Sequence, residues 1–167
     1  MTGVQTCALP IFNDGLRVGK FSNVASDNTI PYSPNGTLVN TDFPLFRLAE
    51  MYLVYAEAVK RGGTGGDDAT ALLYMNKIRE RAYGNTTNDF TSFTVDDVLA
   101  ERGRELYWEG FRRTDLIRYD RFTSASYVWP WKGGVKAGAG VDPRYNLFPI
   151  PASEIISNPH LVQTNGY

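Results

Sequence analysis

The stretch that decides the reading is Leu99–Arg121, LAERGRELYWEGFRRTDLIRYDR. It is the densest cluster of charge in the chain, yet it also carries Leu99, Leu106, Trp108, Phe111, Leu116 and Ile117. Taken as a helix from Val95, positions 95, 99, 102, 106 and 109 recur at helical spacing and should face a core. Two of those positions are Arg102 and Glu109. A solvated helix carries its charges on the opposite face, so the pattern predicts either buried ion pairs or a lined site. Gly110 ends this helix, and Arg112–Arg121 reads as a second one with Leu116 and Ile117 inward. An Arg at 112 or 113 then lies one turn from Glu109, and Asp115 lies three residues before Arg118. Carboxylate and guanidinium satisfy each other bidentately, and either is costly to bury alone. No Lys occurs between 99 and 121, where it would be the poorer fork. The expected structural network is Arg102, Glu105, Glu109, Arg112, Asp115 and Arg118.

Working backwards, Asp42 can cap a helix that begins near Pro44. From Leu45 to Val59 only Arg47, Glu50 and Glu57 are charged, one narrow polar stripe on an apolar cylinder. Such a helix is expected to be buried on most sides, and it is too short and too charged to span a membrane. The run Gly62-Gly63-Thr64-Gly65-Gly66 stops it, and Asp67 and Asp68 open the next helix at the end that favours acids. Ala69, Leu72, Leu73, Asn76, Ile78 and Ala82 give that helix its expected inner face. The pair makes an antiparallel hairpin of about the size of a tetratricopeptide unit. Thr94-Val95-Asp96-Asp97 resembles a capping box, with Asp in place of the usual Glu.

Beyond Arg121 the chain holds Tyr127-Val128-Trp129-Pro130-Trp131 and four Gly between 133 and 140. This reads as a mobile loop with an aromatic knot. An extended Tyr145–Pro151, a single turn over Ala152–Ser157 and an irregular tail follow. The fold class is therefore mainly all-α, a helical hairpin and a charged helix pair with long loops.

At 167 residues the chain has the length of one domain, and its net charge of -1 gives no general attraction to nucleic acid or anionic membrane. One Cys and one His leave no basis for the usual zinc clusters or a Cys–His nucleophile. No metal and no cofactor is expected. His160, beside Pro159 in a polar tail, reads as a surface residue.

Three stretches together resemble the SusD/RagB family, the glycan-capturing outer-membrane lipoproteins of Bacteroidota nutrient uptake. They are Arg47–Ala58, RLAEMYLVYAEA; Glu105-Leu106-x-x-Glu109-Gly110-x-Arg112-x-x-Asp115-Leu116-x-Arg118; and the tail Leu147–Pro151 through Glu154-Ile155, Asn158-Pro159, Leu161 and Gly166-Tyr167. Gly103 and Thr114 depart from the family's pattern, which has a basic and an aromatic residue there. The resemblance implies a C-terminal fragment, 12–167, of one N-terminally truncated domain. It also implies non-catalytic oligosaccharide capture and delivery to a SusC-like TonB-dependent transporter. Membrane attachment would come only through an N-terminal lipid anchor upstream of this sequence.

Residues 1–11, MTGVQTCALPI, match the translation of a common sequencing-library adapter and are excluded from fold reasoning. On that reading Cys7 is not native, and the lack of a signal peptide carries no information.

Two sets of residues invite chemistry. Glu101, Glu105 and Glu109 repeat every fourth position. A glycosidase pair approaches a sugar from opposite sides, which one helix face does not allow, so the Arg-rich surroundings favour structural neutralisation. Tyr127, Trp129 and Trp131 are the candidate ligand-binding residues. Alternation in an extended chain would put Trp129 and Trp131 on one side, a surface suited to stacking on sugar rings. The alternative is that these rings anchor a long loop on the helices. Gly133–Gly140 lacks the Gly-Lys-Ser/Thr ending of a phosphate loop. A tetratricopeptide-like scaffold with protein contacts alone is the competing function, and a glycan-cleaving enzyme a third.

Overall fold

A computed structural model of the chain describes Lys20 and residues 42–167. The expectation for 1–11 therefore lies outside the described residues. The chain divides into two compact units, 1–109 and 110–167. Among the described residues all regular structure is helical.

The first unit holds α1 (Leu48–Lys60), α2 (Asp68–Tyr83) and α3 (Val95–Glu105), with α1 packed on both of the others. Its core is Leu53 and Ala56 of α1, Ala71, Met75 and Ile78 of α2, Phe93, and Val98 and Leu99 of α3, closed by Leu106. The α1–α2 hairpin is clamped by Tyr74, which stacks on Tyr52 with centroids 4.4 Å apart and meets Tyr55 edge-on at 5.2 Å. Its connecting loop is tight: a Cβ at Gly66 would lie 2.7 Å from Val59. The Asp67 side chain then accepts the Thr70 N–H at 2.8 Å and starts α2.

Three expectations need correction. α1 begins at Leu48, with Arg47 rather than Asp42 at its N-cap and no side-chain capping bond. Nor is it buried on most sides. Its inward face is Leu53, Ala56 and Glu57, while Leu48, Met51 and Val54 are 45–66 % exposed. Leu53 and Ala56 turn inward together with Glu57, and Arg47 at the head of the helix reaches Glu105 of α3 and Glu109 beyond it. Third, the inner face of α2 is Ala71, Met75 and Ile78, displaced from the expected set. Leu73 is half exposed, and Ala82 is exposed. Asn76 is half-buried because its amide grips the next loop, donating to the Phe90 carbonyl and accepting the Phe90 N–H.

The start of α3 is the capping box read from the sequence. The Thr94 hydroxyl accepts the Asp97 N–H at 3.2 Å, and the Asp97 carboxylate accepts the Thr94 N–H at 2.7 Å. Its end differs from expectation. The helix stops at Glu105, and Tyr107–Gly110 is a turn in which Trp108 (φ 63°) and Gly110 (φ 83°) are left-handed. Glu109 thus lies beyond the helix, so the predicted one-turn spacing to Arg112 or Arg113 does not exist.

The second unit holds α4 (Arg112–Arg118) and α5 (Ala152–Ser157), with short 3-10 turns at Lys132–Gly134 and Pro143–Asn146. α4 ends three residues before the expected Arg121. Asp120 turns left-handed at φ 55°, and the N–H groups of Arg121 and Phe122 both return to the Leu116 carbonyl. Leu116 is buried and Ile117 half-buried. The Gly-rich segment packs closely on its own unit. Gly138 passes so close to the main chain that a Cβ would lie 2.4 Å from the Trp129 carbonyl oxygen. The tail folds back on the 3-10 turn, with Tyr167 Oη donating to the Arg144 and Leu147 carbonyls. Gln163 pins Ile150 by both its N–H and its carbonyl.

Candidate functional site

Two constellations emerge, one in each unit. In the first, the carboxylates of α3 and of the turn after it collect cations. Arg47, at the N-cap of α1, donates to Glu109 through Nε and Nη2, both at 2.8 Å, and to Glu105 through Nη1 at 2.8 Å. Lys20 also bonds Glu109, and Arg81 of α2 bonds Glu105. Glu101 takes Arg79 at 3.0 Å and Arg104 at 2.6 Å. The Glu109 side chain is only 1 % exposed. Burial raises its carboxyl, but the bonds and charges of Arg47 and Lys20 outweigh that and hold it below the ordinary 4.5. For Arg47 burial works downward, and the two carboxylates reverse it into a net rise.

Of the six residues read as a network, Glu105 and Glu109 are brought together by Arg47, which the charge cluster itself does not contain. Arg102 is buried on α3. In the second unit Asp115, 1 % exposed, pairs with Arg118 at 2.9 Å. Arg112 donates to Tyr127 Oη at 2.7 Å. Arg47 and Lys20 were missed because their separation from Glu109, 62 and 89 residues, leaves no local signal. The isolated Arg at the head of the otherwise apolar α1 was the available hint.

The second constellation is aromatic. Tyr127 is half-buried under the guanidinium groups of Arg112 and Arg121, each 6.0 Å from its ring, and meets Trp129 edge-on at 6.4 Å. Trp129 is 38 % exposed and Trp131 61 %. Trp131 has φ 68°, so the alternation expected of an extended chain breaks there. Lys132, buried, reaches back beneath Trp129 with its ammonium 4.8 Å from the ring centroid. Nearby in the same unit, a cavity of about 480 Å³ is lined by Arg113, Phe122, Tyr145, Phe148 and Tyr167 among others. Arg113 lies 4.0 Å from the Phe148 ring centroid and donates to the Tyr145 carbonyl at 2.7 Å. This cleft gave no sequence signal, since its rings come from three separate stretches. Among the described residues no three His, Cys, Asp or Glu side chains gather as a metal site, and no helix is long and apolar enough to cross a membrane. His160 is exposed.

The Glu101, Glu105 and Glu109 carboxylates of the first unit are each held by cations, and Trp129 and Trp131 of the second are exposed. The chain is 44 % identical over 164 residues to the starch-binding protein SusD of Bacteroides thetaiotaomicron, a match covering 98 % of this chain and 28 % of that protein. Among solved structures, surface glycan-binding protein A of Bacteroides uniformis aligns with a TM-score of 0.58 and 33 % identity, over 75 % of this chain and 28 % of that one. A SusD superfamily protein of Bacteroides vulgatus gives a TM-score of 0.57 and 36 % identity over 73 % and 27 %. The chain thus spans little more than a quarter of these relatives' length. The profile of the SusD family matches residues 9–167, and the chain belongs to that family.

Proposed function

We propose that this chain is the C-terminal part of a cell-surface glycan-binding protein that captures oligosaccharide without cleaving it. The observation that carries the proposal is the family match over 9–167, joined to relatives named for starch and surface-glycan binding. The charge chemistry agrees. A general acid needs a carboxyl raised towards neutrality, whereas Glu109 is lowered and Glu101 and Glu105 are each held by two cations. Tyr127, Trp129 and Trp131 are the proposed sugar contacts, with Trp131 the most accessible ring of the three. Delivery to a SusC-like TonB-dependent transporter, and an outer-membrane location through an N-terminal lipid anchor, belong to the same proposal. Titration with an α-glucan and oligosaccharide panel, with product analysis of the same mixtures, tests it. Sugar binding without new product supports the proposal, and product formation overturns it.

The exposed apolar face of α1, Leu48, Met51 and Val54, supports a second reading, a tetratricopeptide-like scaffold whose contacts are protein alone. Association with the transporter in the absence of any sugar binding would favour that reading.

A further inference from the structure

Lys132 is buried, 4 % exposed, and its partners are uncharged. Its Nζ donates to three main-chain carbonyls, those of Arg121 at 3.2 Å, Ser124 at 2.5 Å and Tyr127 at 2.5 Å. The Trp129 ring face lies 4.8 Å away. An ammonium has three N–H donors, and the three carbonyls use them all. The indole face adds a fourth electron-rich neighbour. Burial pulls Lys132 below the ordinary lysine value, while carbonyl dipoles and ring favour the charged form.

The cage is also where the aromatic segment is closed. The Lys132 N–H donates to the Trp129 carbonyl at 3.0 Å, and the Lys132 carbonyl accepts the Ala139 N–H at 3.0 Å. Gly140 brings the returning chain against Ala125, where a Cβ would sit 2.9 Å from the Ala125 methyl. Residues 121–127 thus supply the carbonyls around the ammonium, and the Lys132 main chain ties Trp129 to Ala139. Carbonyl oxygens with an aromatic face form the donor set of a weakly hydrated monovalent cation.

We propose that Lys132 is a positioning residue whose ammonium acts as a tethered monovalent cation, fixing Tyr127–Trp131 by filling a carbonyl-and-indole cage. Emptied of the lysine side chain, the same cage takes up methylammonium. The tether holds whatever the aromatic segment binds, so its test is separate from that of the glycan reading.

Reductive methylation of the unmutated 167-residue chain, read by mass spectrometry, compares Lys132 with the exposed Lys77 and Lys136. Lys132 is expected to react at least about tenfold more slowly, the ratio set by local opening. Reaction at the rate of Lys136 overturns the proposal without requiring any variant to fold. Lys132→Ala is then followed by tryptophan near-ultraviolet circular dichroism and by tryptic cleavage after Lys136. The signal should weaken and cleavage accelerate about tenfold. Methylammonium chloride should restore both, and sodium chloride at equal ionic strength should not. Lys132→Met, which fills the aliphatic volume without the charge, should lose the signal and stay unrestored. A Met variant with unmutated signal and protection, or an equal response to the two salts, rejects the tethered cation.

Discussion

The guanidinium of Arg47 grips the Glu109 carboxylate with two parallel arms, Nε to Oε2 and Nη2 to Oε1, each at 2.8 Å. The pair joins the start of α1 to the turn after α3, and a side chain 1 % exposed makes it a structural commitment rather than a surface contact. Glu109→Ala takes the bidentate partner from Arg47, leaving it Glu105 alone, and removes the carboxylate of Lys20, so it is expected to destabilise the chain by about 3 kcal/mol. Glu57→Ala should cost less. Glu57 is also buried, but its partner Arg61 is 42 % exposed and can be hydrated when the carboxylate goes. Urea titration of both variants checks the order, and equal midpoints would reject it.

The same pair gives an acid dependence with a defined sign. Glu109 is lowered below 4.5 in the folded chain, so the unfolded state binds more protons as pH falls. Its contribution is fully present above the ordinary carboxyl value and is lost as pH drops through the folded one. Asp97, lowered by the Thr94 hydroxyl and N–H, behaves alike below 3.8. Glu109→Gln should therefore flatten the acid limb of a stability–pH curve between pH 5 and the acid endpoint. A limb of unchanged slope in that variant would show that other carboxylates dominate.

Thr94→Ala removes the hydroxyl that satisfies the Asp97 N–H and should cost about 1 kcal/mol. Thr94→Ser keeps the oxygen and should lie within a few tenths of the unmutated chain. Thermal melts of the two variants decide, and a Ser variant as unstable as Ala would place the effect in packing instead.

What was legible follows from distance along the chain. The capping box was readable because Thr94 and Asp97 lie three apart and report on each other. The all-helical class and the α1–α2 hairpin were readable from periodicity and the Gly-rich break. The end of α3 was not. Nothing in the Glu105–Gly110 composition announces that Trp108 takes a left-handed backbone. The orientation of α1 failed for a related reason. Apolar count alone makes α1 buried on most sides, but Leu48, Met51 and Val54 are exposed, and Arg47 finds its carboxylates 58 and 62 residues away. Counting apolar residues cannot see partners at that distance. The aromatic segment stood out as a sequence feature, yet the buried Lys132 ammonium under Trp129 did not.

Trp108 offers a test of backbone strain. It has φ 63° and is 62 % exposed, so a non-glycine residue holds a left-handed position with little burial to show for it. Trp108→Gly should raise stability by up to about 1 kcal/mol, the strain relieved outweighing the greater freedom of the unfolded glycine. Trp108→Ala retains the strain and should not stabilise. A Gly variant that melts below the Ala variant would mean that the indole makes contacts worth more than its conformation costs.

The two tryptophans of the aromatic segment should separate where their neighbourhoods differ. Trp129 meets Tyr127 edge-on and roofs the Lys132 ammonium, whereas Trp131 is 61 % exposed and its ring makes none of those contacts. Trp129→Ala should lower the melting temperature, by an amount corresponding to about 1–3 kcal/mol for the lost ring packing and cation contact. Trp131→Ala should leave the melting temperature nearly unchanged. If Trp131 stacks on sugar, its loss should weaken glycan binding about five- to a hundredfold, the equivalent of one buried aromatic contact. Calorimetric titration of the folded Trp131→Ala chain against an oligosaccharide that binds the unmutated chain reads this directly. Unchanged affinity would remove Trp131 from the sugar site and leave the segment as an anchored loop, with Lys132 rather than a ligand as the reason for its shape.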